Sequence, residues 1–138
     1  YLRLDKNEHK DIKSKNIIVS PGKIIKLSNG NKKKMILTTG SVQDIAKNIM
    51  LKKFKNYSLF SMPLWGMKAK GVVRNMIKKF DEIITIEDHF HDGGFGSWIK
   101  ECINDTNIKT IIKSKYINSS VINEVGSKDY LLQKFGPK

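Results

Sequence analysis

Short apolar runs rich in β-branched residues alternate along this chain with segments whose apolar positions recur every three or four residues. The first period reads as strand and the second as amphipathic helix. Residues 23–27 (KIIKL) form a short strand closed by the turn Ser28-Asn29-Gly30-Asn31, and residues 34–38 (KMILT) form a second, buried strand. A turn of that composition between two strands predicts a hairpin, with the first strand antiparallel to the second. After Gly40, the positions Val42, Ile45, Ala46, Ile49, Met50 and Phe54 fall at helical spacing, with Ser41 as the expected cap. Residues 57–61 (YSLFS) are a third strand, stopped by Met62-Pro63. Val72, Val73, Met76, Ile77 and Phe80 mark one face of a second helix, and residues 82–87 (EIITIE) a fourth strand. A glycine-rich turn leads to a third helix with Trp98, Ile99, Cys102 and Ile103 inward. Residues 110–117 are a fifth strand, and residues 129–135 a short closing helix stopped by Gly136-Pro137. Strand and helix alternate from Met35 onward, which predicts an α/β fold with a mainly parallel sheet and helices on both faces.

Composition adds bounds. The 138 residues fit one domain, with 39% hydrophobic and 28% charged residues. No apolar run approaches the roughly 18 residues of a membrane span. Tyr1-Leu2-Arg3-Leu4 lacks the apolar region of a signal peptide, and the missing initiator Met implies a piece of something longer. The single cysteine, Cys102, cannot form an internal disulfide. Its place on the inward face of a helix predicts inert packing, and a cytoplasmic setting is expected. The formal charge of +13 is carried by lysine, with Arg3 and Arg74 as the arginines. Lysines scattered among Ile and Asn favour a solvated surface over a dedicated polyanion site, since base and bidentate phosphate recognition favour arginine.

The stretch richest in chemistry runs Glu82-Ile83-Ile84-Thr85-Ile86-Glu87-Asp88-His89-Phe90-His91-Asp92-Gly93-Gly94-Phe95-Gly96-Ser97. It is a buried strand, an acidic and histidine-bearing turn, three glycines and a helix start. Backbone amides at a helix start can cradle phosphate. However, GGFG is neither a dinucleotide fingerprint nor a P-loop, so a tight turn with close helix–sheet contact is favoured. His89, His91 and Asp92 could ligate a metal, yet the remaining ligands have no obvious source, His9 lying in the polar linker. Glu87 stands at the carboxyl end of a parallel strand, where α/β folds place ligands, so acid–base catalysis by Glu87 or His89 and a hydrogen-bonded contact turn both stay open.

The same stretch resembles the C-terminal domain of the transketolase family, in which a strand ending Glu-Glu-His is followed by Gly-Gly-x-Gly-Ser and a helix. This chain has Ile86-Glu87-Asp88-His89 and then Gly93-Gly94-Phe95-Gly96-Ser97. Further pieces match in order: Pro21-Gly22-Lys23, Ile36-Leu37-Thr38-Thr39-Gly40-Ser41, Met62-Pro63-Leu64, and Val125-Gly126-Ser127 with Tyr130-Leu131-Leu132 and Phe135-Gly136. Tyr1-Leu2-Arg3-Leu4 is similar to the last strand of the family's preceding domain. The sequence departs from the family at Asp88 and at Phe90-His91-Asp92.

The resemblance implies a three-layer α/β/α unit with a five-stranded mixed sheet, its first strand antiparallel to the rest. It implies residues 1–21 as interdomain linker and tail of a preceding domain, and residues 22–138 as the transketolase C-terminal-like domain. In that family thiamine diphosphate and magnesium are held by other domains, one of which carries a Gly-Asp-Gly motif that this chain lacks. The expectation is therefore a non-catalytic domain with no catalytic, cofactor or metal residue. It would serve dimer or domain assembly and regulation inside a homodimeric parent that moves two-carbon ketol units between sugar phosphates. Glu87, Asp88, His89, Gly93, Gly94 and Gly96 become the expected interface or regulatory turn. Two rival readings are a stand-alone anion or nucleic-acid binder and a partner-docking domain of a 2-oxo acid dehydrogenase beta subunit. Nucleic acid is disfavoured as a partner, and no membrane is expected.

Overall fold

The computed structural model describes residues 17–138. The expected tail of a preceding domain and most of the linker lie outside the described residues. The elements are β1 (Ile25–Ser28), β2 (Asn31–Thr38), α1 (Gln43–Lys53), β3 (Tyr57–Ser61), α2 (Lys70–Ile77), β4 (Glu82–Ile86), α3 (Phe95–Glu101), β5 (Ile111–Lys115) and α4 (Lys128–Phe135). Single 3-10 turns at Met67–Ala69 and Ser119–Asn123 precede α2 and α4. The five strands form one sheet in the order β1-β3-β2-β4-β5. The pairs β3–β2, β2–β4 and β4–β5 are parallel, while β1 is antiparallel to β3.

Burial along the strands follows from this order. The lysines that open β2 are exposed, whereas Met35, Ile36 and Leu37 are wholly buried, because a central parallel strand is covered on both faces. Met35, Leu37, Phe60, Met62 and Ile83 point to one face and pack against Val73, Met76 and Ile77 of α2 and Phe95, Trp98 and Ile99 of α3. Ile36, Leu59, Ile84 and Ile86 point to the other face and pack against Ala46, Ile49 and Met50 of α1. The expected three-layer α/β/α arrangement and mixed sheet are thus present. Each fully buried Ile or Leu contributes on the order of 2 kcal/mol of apolar burial.

Three local expectations are corrected. The first concerns the hairpin. β1 does not pair with β2, because β2 spends both of its edges on β3 and β4, and β1 is displaced to the outer edge of β3. The link from β1 to β2 must then cross the start of β3. Gly30 makes the crossing: a Cβ there would lie 2.4 Å from the Tyr57 carbonyl oxygen, and the Asn31 amide donates to the Asn56 carbonyl at 2.6 Å. The second concerns the cap of α1. The capping position is Val42, with no side-chain cap, and the Ser41 hydroxyl points instead to Asp88. The third concerns Val72, which is 57% exposed rather than inward, because α2 ends at Ile77 and its apolar stripe narrows to Val73, Met76 and Ile77.

Candidate functional site

The sheet order places a topological switch between β2 and β4. The chain leaves β2 toward β3 on one side and leaves β4 toward β5 on the other. In open α/β sheets such a point opens a crevice at the carboxyl ends of the strands. Here the carboxyl ends of β2, β3 and β4 are laced together. The Ser41 hydroxyl donates to Asp88 Oδ2 at 2.8 Å, the Thr38 hydroxyl to the Ile86 carbonyl at 3.1 Å, and the Thr39 hydroxyl to the Met62 carbonyl at 2.9 Å.

Glu87 leaves the end of β4 and turns inward, with 1% of its surface exposed. Its backbone amide continues the sheet by donating to the Lys115 carbonyl at 3.1 Å. Its carboxylate accepts the Phe95 amide at Oε2 (2.5 Å) and the Gly96 amide at Oε1 (2.7 Å). These are the first two residues of α3. Such orphan donors normally find a Ser, Thr, Asp or Asn beside them in sequence. The capping position of α3 is Gly94, which has no side chain, so the acceptor comes from eight residues upstream. Burial pushes the Glu87 carboxyl above its ordinary range, against the amides of Gly96 and Phe95 and the nearby imidazoles of His89 and His91, which pull it down.

The glycines make room for that carboxylate. A Cβ on Gly94 would lie 2.3 Å from Glu87 Oε2 and 2.5 Å from the Phe90 carbonyl. A Cβ on Gly96 would lie 2.5 Å from the Ser114 hydroxyl and 2.6 Å from that of Thr85. Gly93 serves differently: its φ of +69° is the left-handed region, and its side-chain direction is open.

The histidines point elsewhere. His89 Nδ1 lies 3.1 Å from the Phe90 carbonyl, while His91 Nδ1 faces Asp92 at 3.0 Å and its ring packs 4.9 Å from that of Tyr116. Lys100 Nζ approaches His91 Nε2 at 3.4 Å. Among the described residues, no three of His, Cys, Asp and Glu converge as a metal-binding set. Glu87 has both oxygens engaged by backbone amides and its surface covered, so the arrangement holds the start of α3 in place. The Cys102 thiol is buried and its pKa is pushed up to about 11 by that burial, which keeps it in the inert thiol form.

The structure therefore brings Glu87, Gly94 and Gly96 into one cluster and leaves Asp88, His89 and Gly93 on its exposed rim. Sequence reasoning missed Phe95, whose amide is the second donor, and Thr85 and Ser114, which wall the Gly96 side. A helix start with glycine at its capping position is the signal that an acceptor must come from outside the local sequence.

No protein-family model and no curated protein sequence matches this chain. Among solved structures, a chain described as "Split gene transketolase, inactive beta4 tetramer" superposes with a TM-score of 0.72 at 20% sequence identity. The likeness covers 94% of this chain and 42% of that one, so the chain spans less than half the length of the protein it matches. The fold built from β1 to α4 is that of a transketolase C-terminal-like domain.

Proposed function

We propose that this chain is the non-catalytic C-terminal domain of a transketolase-like, thiamine-diphosphate-dependent transferase, and that it serves assembly of the larger enzyme. The observation that carries the reading is the internal use of Glu87. The acidic, glycine-rich turn that could have been a ligand site is occupied by the protein's own carboxylate on the amides of Phe95 and Gly96. The residues present do not fit the cofactor. There is no Gly-Asp-Gly sequence, and the acidic side chain best placed for a ligand is already bonded on both oxygens. Thiamine diphosphate and magnesium would belong to companion domains, on the same chain or a separate subunit. The parent would transfer two-carbon ketol units between sugar phosphates.

An assembled state is supported by the fold likeness to a chain of a tetramer. The exposed rim of the turn, Asp88, His89 and Gly93, would supply contact surface in such an assembly. No helix of the described residues is long and apolar enough to cross a membrane. A cytoplasmic setting accords with the one cysteine being a buried free thiol.

Calorimetric titration of the chain with thiamine diphosphate and magnesium tests this. No heat of binding is expected at millimolar cofactor. Saturable binding by this chain alone would overturn the assignment.

A further inference from the structure

A second region owes nothing to the turn after β4. The helix layer formed by α2 and α3 stops short of the sheet edge, and between α2 and the face of β1 and β3 lies a groove of about 610 Å³. That volume is in the range of about 300–1,000 Å³ typical of small-molecule sites. Ile24, Phe60, Met76 and Phe80 contribute apolar surface to it, and Lys26, Lys32 and Lys79 contribute cations. Phe60 and Phe80 meet edge to face, with centroids 6.0 Å apart. The Lys26 ammonium stands 5.7 Å from the Phe60 ring centre, so cation and aromatic face are presented side by side.

Four lysines elsewhere on the described surface lie against carboxylates. Lys34 and Lys113 share Glu82, Lys70 meets Glu101, and Lys134 meets Glu124. No carboxylate lines the groove among the described residues, so its three lysines are left with excess positive charge beside a half-covered apolar floor. An apolar body would cover the rings and an anionic head would complement the lysines.

We propose that this groove binds a small amphipathic organic anion, an aryl or acyl body carrying one carboxylate, sulfonate or phosphate. The groove lies on β1 and β3, with β2 between it and the strand that leads to Glu87. It does not depend on the transketolase reading.

Fluorescence titration of the full chain with 8-anilinonaphthalene-1-sulfonate tests it. One saturable site is expected, weakened about tenfold when Lys26→Glu and Lys79→Glu are combined, because two nearby attractions become repulsions. Both lysines are exposed, so the reversal leaves the core intact, and far-ultraviolet circular dichroism checks this. Lys47→Glu on α1, against the opposite face of the sheet, makes a like kind of charge change and is expected to leave affinity unchanged. The uncharged analogue N-phenyl-1-naphthylamine is expected to bind at least tenfold more weakly. The proposal is overturned by absence of saturable binding, by equal loss in the Lys47 variant, or by equal affinity for the uncharged analogue. Binding to phosphatidylserine vesicles without any response to the soluble probe would assign the groove to a lipid surface and equally overturn it.

Discussion

Strand β4 opens on one glutamate and is followed directly by another, and the two live in opposite environments. Glu82 opens the strand with its side chain 13% exposed, takes Lys113 Nζ at 2.7 Å and the Tyr57 hydroxyl at 2.5 Å, and has Lys34 at 3.9 Å. Glu87 follows the strand, is buried, and takes two backbone amides. The Lys113 and Tyr57 hydrogen bonds hold the Glu82 carboxyl below its usual range, while burial lifts that of Glu87. Tyr57 responds to the same neighbourhood, its hydroxyl being pushed up to about 12 by burial and by the Glu82 carboxylate. Four residues of one strand thus separate a charge held by side chains at the rim from a charge held by backbone in the interior. The first kind is screened by salt and shares mobile partners, and the second organises a fixed helix start.

The largest expected effect breaks the interior member. Glu87→Ala removes the acceptor for two helix amides and leaves space where the carboxylate stood, and is expected to cost about 3 kcal/mol. Glu87→Gln keeps the size, but its amide presents an oxygen to one donor and a nitrogen to the other, so about half the loss should remain. Urea denaturation measures both. A cost below about 0.5 kcal/mol for Glu87→Ala would make Glu87 no different from an average surface residue.

Next come the glycines, which sharpen the comparison by asking what each one is for. Gly96→Ala and Gly94→Ala force a methyl group against hydroxyl or carboxylate oxygens in a covered site and are expected to cost about 2 kcal/mol each. Gly93→Ala meets no neighbour, so its cost is the backbone alone at φ +69°, about 1 kcal/mol. Equal costs at all three positions in the same denaturation assay would mean that turn geometry, not room for Glu87, explains the glycines.

How far this was legible in the sequence depended on whether the signal was local. The runs MIL, SLF and IITI announce buried parallel strands because both faces of a central strand must be apolar. The periodicity at Ala46, Ile49 and Met50 gives α1 for the same kind of reason. The pairing of β1 was not local. Ser28-Asn29-Gly30-Asn31 is good hairpin chemistry, yet the competition for the edges of β2 was won by β3 and β4 at distant positions, and Gly30 proved to be a crossing glycine. The candidate turn split along the same line. Its glycines and its glutamate were visible as unusual residues, but only the return of α3 onto the sheet shows that Glu87 reaches Phe95 and Gly96. The Ser41–Asp88 bond spans 47 positions and had no sequence signal at all.

The smallest effect separates the two glutamates by sign. Unfolded, both titrate near pH 4.3. A carboxyl held below that value in the folded state contributes stability above the unfolded pKa and loses it as pH falls through the folded pKa. Glu82 is of this kind, so the advantage of the wild type over Glu82→Gln should shrink on acidification below about pH 4.3. A carboxyl raised in the folded state binds its proton more tightly there, so its titration favours the fold below the unfolded pKa and that contribution is lost as pH rises through the folded value. Glu87 is of this kind, so the advantage of the wild type over Glu87→Gln should shrink as pH climbs from about 4 toward neutrality. Lys113 is 63% exposed and Lys34 47%. The Glu82 term should therefore stay within about 1 kcal/mol and fall further in 0.5 M salt, whereas the amide-held Glu87 term should ignore salt. Stability curves of the two variants against pH, at low and high salt, are expected to tilt in opposite directions. Two curves of the same tilt would show that burial does not outweigh the two amides at Glu87, making the interior site as strong a home for the anion as the rim.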